Sequence, residues 1–124
     1  MRVVLISLFA LASATPALAQ RVTEQFIPIG QSPGALTMVG EVMATPAPAN
    51  ATGQSSIAMT SSVAPNGVSY GIDADTRIYI DRSEQGEPNT LGKVADIQPG
   101  RTVEVAIAEP TDRTAEWIKV QAPD

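Results

Sequence analysis

The chain has no cysteine and no histidine among its 124 residues, and its aromatic residues are one tryptophan, two tyrosines and two phenylalanines. Without cysteine there is no disulfide staple, so a small domain must be held together by its core alone. Without histidine it lacks the side chain most used as a general base near neutral pH, which is also the commonest transition-metal ligand. Basic residues are few: 8 Lys and Arg stand against 13 Asp and Glu, for a net charge of −5. They are scattered singly, whereas nucleic-acid binding leans on basic patches that neutralise phosphates. Nucleic acid is therefore set aside as a partner, and adsorption to anionic lipid with it. Methionine can bind soft metals, but no Met-x-x-Met cluster exists, and Met38 and Met59 sit at alternating positions as core filler would. No cofactor is implied.

What is present begins with an export signal. Met1-Arg2 is followed by an apolar run from Val3 to Ala12, then Pro16 and the small-residue site Ala17-Leu18-Ala19. A positive start, a short apolar helix and a helix-ending proline before small residues make a secretory signal peptide over residues 1–19, cut between Ala19 and Gln20. About ten apolar residues fall short of the roughly 20 a membrane-crossing helix needs, so no stable membrane insertion is expected after cleavage. With no cysteine after the apolar run there is no site for lipid acylation. The expected product is a periplasmic or secreted bacterial protein of about a hundred residues, enough for one core and one domain. Arg2 leaves with the signal, which makes the remainder more acidic.

Residues 20–35 read as an N-terminal extension in which Phe26-Ile27-Pro28-Ile29-Gly30 is a short apolar run; Pro28 limits any strand there to a short or edge one. A Ser32-Pro33-Gly34 turn leads into a strand over Leu36–Met43, with Gly40 a bulge or bend. Residues 44–56, rich in Pro, Ala, Asn and Ser, read as a mobile loop between strands. Ile57–Val63 and Val68–Ile72 alternate around Ala64-Pro65-Asn66-Gly67 and make a β-hairpin. Thr76–Asp81 is a further strand, with Ile78 and Ile80 on one face and Arg77, Tyr79 and Asp81 on the other. Leu91–Ile97 is ambiguous between strand and helical turn. Gln98-Pro99-Gly100-Arg101 reads as a type II turn into Thr102–Ile107. The last strand, Thr114–Val120, puts Ile118 and Val120 in the core and Trp117 at a rim. The mature chain has no helical period, so an all-β fold is expected: a closed or partly open barrel of about six or seven strands over residues 36–120, with a C-terminal tail at 121–124.

The run Asp75-Thr76-Arg77-Ile78, then Gly92, then Ala95-Asp96-Ile97-Gln98-Pro99-Gly100-Arg101-Thr102-Val103-Glu104-Val105, then Ala115-Glu116-Trp117-Ile118-Lys119-Val120 resembles the small OB-like β-barrel domains of exported bacterial proteins known as domain of unknown function family 5666. The likeness spans roughly Leu36 to Val120. It implies the fold and carries no catalytic residues with it.

Three groups of residues are candidates for chemistry. Asp73 and Asp75 form an Asp-x-Asp pair of the kind found in calcium loops, but Ile78 stands where such a loop wants glycine. The plainer reading is that they hydrogen-bond their own turn. Asp81, Glu84 and Glu87 supply carboxylates of the kind a hydrolase uses, although solvated loop acids next to Arg82 have no reason to hold a proton at neutral pH. Arg77, Tyr79 and Asp81 share a strand face that Trp117 and Lys119 join if their strands are neighbours. That surface would suit a protein or saccharide partner; the plainer reading has the rings covering barrel ends while the charges stay wet. The expectation is a non-catalytic exported binding module, with a structural envelope-associated protein in a larger assembly as the alternative and a carboxylate-based hydrolase behind both.

Overall fold

The computed structural model describes residues 26–32, 36–48, 50, 51 and 53–123. The signal peptide, its Ala19–Gln20 cleavage site and most of the Ser32-Pro33-Gly34 turn lie outside the described residues. The architecture is all-β, as the alternation predicts: seven strands in one mixed sheet, joined by turns and two short 3-10 segments.

The strands are β1 (Leu36–Ala44), β2 (Ser55–Ser61), β3 (Val68–Ile72), β4 (Arg77–Asp81), β5 (Thr90–Leu91), β6 (Thr102–Ile107) and β7 (Trp117–Gln121). Their order across the sheet is β3-β2-β1-β6-β7-β4-β5. β1, β2 and β3 form an antiparallel meander, and the Asn66-Gly67 turn joins β2 to β3 as the hairpin signal requires. β1 and β7 both pair antiparallel with β6, while β4 pairs with β7 in parallel. The hydrogen-bonded ladder does not close into a barrel, but a single parallel bridge, Gly71 to Thr114, ties β3 to the residues leading into β7.

This arrangement buries most of one face. Val42, Ile57, Met59, Tyr70 and Ile72 from the meander meet Ile78, Val103, Val105, Ile118 and Val120 from the other strands, and Ile97 from the turn before β6, in one core. The alternation of β-branched residues along β6 and β7 put these side chains on the inner face, as expected for Ile118 and Val120.

Several local expectations change. Gly40 is not a bulge; the register shift in β1 falls between Val42 and Ala44. Gly40 is where β1 presses on β2, and a Cβ there would overlap the Thr60 carbonyl oxygen. The loop expected at 44–56 is shorter, because Ala44 belongs to β1 and Ser55 and Ser56 to β2. Its lack of apolar side chains is made up by polar ties: the Asn50 side chain accepts from the Gln54 N–H at 3.0 Å, and the Ser55 hydroxyl donates to the Ala47 carbonyl at 2.6 Å. The ambiguous stretch 91–97 splits into the two-residue edge strand β5 and a 3-10 turn over Val94–Asp96. At the C-terminus β7 runs to Gln121 and Ala122 is buried, so the domain extends past Val120.

Gly40→Ala is expected to cost about 3 kcal/mol, since the new methyl must push two paired backbones apart. A urea midpoint equal to that of the unsubstituted chain would refute the close approach.

Candidate functional site

The parallel pairing of β4 with β7 sets Arg77 opposite Trp117, Tyr79 opposite Lys119 and Asp81 opposite Gln121. All five residues expected on the partner surface therefore do share one sheet face. β6 extends that face with Glu104, the register partner of Lys119, and with Ala106 opposite Trp117.

The face is not open to water. Tyr79 and Trp117 are each 1 % exposed, Lys119 and Glu104 0 % and Asp81 6 %. Both sequence expectations therefore need correction: Trp117 is not at a rim, and Asp81 and Lys119 are not wet. Tyr79, Trp117 and Ala106 form a second apolar cluster, and the Lys119 ammonium lies 4.5 Å from the centre of the Trp117 ring. Arg77 alone of the five is partly exposed.

Part of the cover is the chain's own extension. Instead of an edge strand, Pro28–Gln31 forms a β-turn in which the Gln31 N–H donates to the Pro28 carbonyl at 3.2 Å. Gly30 at the third position has φ of 84°, which is what a type II turn requires. The two central N–H groups of the turn point at two carboxylates: Ile29 donates to Asp81 Oδ2 at 2.8 Å and Gly30 to Glu104 Oε1 at 3.1 Å. Asn89 Nδ2 donates to the Ile27 carbonyl at 3.0 Å, and Lys119 Nζ donates to the Ser32 hydroxyl at 3.0 Å. Residues 27–32 thus form a strap crossing the outer face, gripped by side chains from β4, β6, β7 and the loop before β5.

The electrostatics follow from this packing. Burial pushes the Asp81 carboxyl upward, but hydrogen bonds from the Ser83 side chain and the Ile29 and Ser83 N–H groups, with the positive charge of Lys119, outweigh it. The net result is a carboxyl held below its ordinary value of 3.8. Lys119 supplies the charge that sequence reasoning looked for in Arg82, whose guanidinium instead donates to Thr90 Oγ1 at 3.1 Å. Glu104 is satisfied on one oxygen only; Oε2 is buried with no hydrogen-bond partner. A charge-assisted bond contributes about 1.5–3 kcal/mol net. Ordering each strap residue costs about 1–2 kcal/mol. The strap is therefore held by a small difference between similar terms.

An open cleft of about 370 Å³ lies beside the strap, lined by Pro28, Ile29, Gln31, Asp81, Ser83 and Glu84 among others. It brings together two of the carboxylates considered for hydrolysis. Asp81 there is held ionised, the opposite of the raised carboxyl that a general acid near neutral pH needs. At the other candidate pair, the Asp73 side chain accepts from the N–H of Asp75 at 2.9 Å and of Thr76 at 3.1 Å, a turn satisfying its own backbone. Among the described residues no group of three or more acidic side chains is placed to hold a metal ion.

Sequence reasoning missed Glu104, Asn89 and the strap itself. The Pro28–Gln31 turn was legible from a glycine two residues after a proline, but nothing local says what such a turn will dock against. No family model, curated protein or solved structure matches the chain.

Two outcomes are expected. Lys119→Met should lower stability by about 3 kcal/mol, because it removes the positive charge beside the buried Asp81 carboxylate, and adding Asp81→Asn should recover part of that loss in the same denaturation experiment. Because the folded Asp81 pKa lies below the unfolded value, its contribution is complete above about pH 4 and lost as pH falls through the lowered pKa. Acid titration followed by the Ile29 amide resonance should show this loss, and Asp81→Asn should flatten it.

Proposed function

We propose that the chain is an exported, non-catalytic binding module of OB-like architecture that recognises a protein segment through the outer face of β4, β7 and β6. One observation carries the reading: Asp81 and Glu104 on this face, with Asn89 from the loop beside it, already hold the backbone of a polypeptide, residues 27–32, by its N–H and C=O groups. Acceptors paired with peptide N–H groups recognise main chain, which favours a protein over a saccharide.

The OB-like reading, and with it the likeness to domain of unknown function family 5666, is supported by the circuit of pairings. β3 pairs with β2 and bridges in parallel to Thr114, and β4 then pairs in parallel with β7, so β3 and β4 behave as one interrupted strand in a ring with β7, β6, β1 and β2. A five-stranded, partly open barrel has this economy. The secretory signal read over residues 1–19 supports a location in the periplasm or outside the cell.

The test is site-specific photo-crosslinking in exporting cells, with the reactive residue at Gln31 beside the face or at Val63 in the exposed β2–β3 turn. A protein captured from Gln31 and not from Val63 is expected, on a chain whose mass begins at Gln20. Recovery of the chain alone from both positions would overturn the protein-binding reading. Equal capture into one high-mass complex from both would favour the structural alternative.

A further inference from the structure

We propose that the β4–β7–β6 face is a receptor for a type II turn of the form x–Gly–x–Ser/Thr, that residues 27–32 are the copy of this ligand supplied in cis, and that a partner protein carrying such a turn displaces it. The inference rests on the binding role proposed above and names the chemistry of its ligand.

Each fixed element of this form is held by a named side chain of the face or its border. Asp81 and Glu104 accept two consecutive N–H groups, those of Ile29 and Gly30. The turn that presents these two donors needs positive φ at its third position, here Gly30 at 84°, a conformation glycine adopts without strain. Lys119 donates to the hydroxyl of Ser32, two residues after the glycine. Asn89 marks the other end by holding the Ile27 carbonyl. These bonds read backbone shape and one hydroxyl, so any chain able to form the same turn can form them.

The cis copy is an imperfect fit, which leaves room for a better occupant. Glu104 Oε2 is buried and without a hydrogen-bond partner beneath the strap. A buried acceptor left unmet is costly, so a trans ligand that brings one more donor to that oxygen gains over the cis segment. The cis segment in turn keeps the charged face covered until a ligand arrives, and its tether lowers the apparent affinity of any competitor by mass action.

The probe is a fluorescein-labelled peptide of residues 24–34, added to the full chain and to its Gly30→Pro variant. Proline cannot adopt positive φ and has no N–H to give Glu104, so the cis strap is released while the inner core is untouched. The peptide is expected to bind the variant at least about tenfold tighter than the unsubstituted chain, and Glu104→Gln in the variant should weaken it about tenfold. A peptide with proline in place of its glycine should not bind. A folded variant that binds the peptide no better than a scrambled one overturns the inference, even where crosslinking at Gln31 captures a partner and the broader reading stands. Should Gly30→Pro fail to fold, unlabelled peptide is titrated into the 15N-labelled unsubstituted chain: movement of the Ile29 and Gly30 amide resonances to their free positions supports displacement, and fixed resonances at millimolar peptide refute it.

Discussion

The parallel pairing of β4 with β7 is the contact on which the remaining structure depends. It joins residues some forty positions apart, and a parallel pair cannot be made by a hairpin. On its inner side it brings Ile78 against Ile118 and Val120 and lets the meander fold over them. On its outer side it sets Tyr79 and Asp81 beside Trp117 and Lys119, and the pairing of β6 with β7 brings in Glu104. Core and candidate site are the two faces of the same registration. A one-residue slip of β4 would exchange them, placing Asp81 in the apolar core and Ile80 under the strap.

The outer face combines properties that are seldom found together. Strands buried on both sides are normally apolar throughout, yet β6 and β7 carry Glu104 and Lys119 at fully buried positions. The charges are tolerated because the segment lying over them is backbone with donors to spare. The central N–H groups of a type II turn are not used within the turn, so they need acceptors, and the carboxylates need donors. Each side solves the other's problem, with Lys119 balancing the charge of Asp81. The arrangement satisfies main-chain donors of residues 29 and 30 with side-chain acceptors of the sheet.

Much of the fold was legible because its causes are local. Alternation of β-branched residues named the strands, and Asn66-Gly67 and Pro99-Gly100 named turns through the conformations those residues favour. Even the inward residues of β7, Ile118 and Val120, follow from a period of two. The same period led to the error about Trp117 and Lys119. Alternation says which side chains share a face and leaves open whether that face meets water or a further segment of chain. Gly40 shows the same limit on a smaller scale: a glycine in a strand signals something unusual, and only the paired strand reveals that it is the closeness of Thr60.

The sequence by itself determined the all-β class, the absence of disulfide and histidine chemistry from these residues, and the sharing of one face by Arg77, Tyr79 and Asp81, since each of these depends on composition or on neighbours within a few residues. Only the tertiary structure decided that β4 lies parallel to β7, that Glu104 and Asn89 join the site, and that residues 27–32 lie across it. Those contacts link residues 40 to 87 positions apart. Their formation depends on the balance between closing such loops and satisfying buried donors and acceptors, a balance that no local pattern encodes.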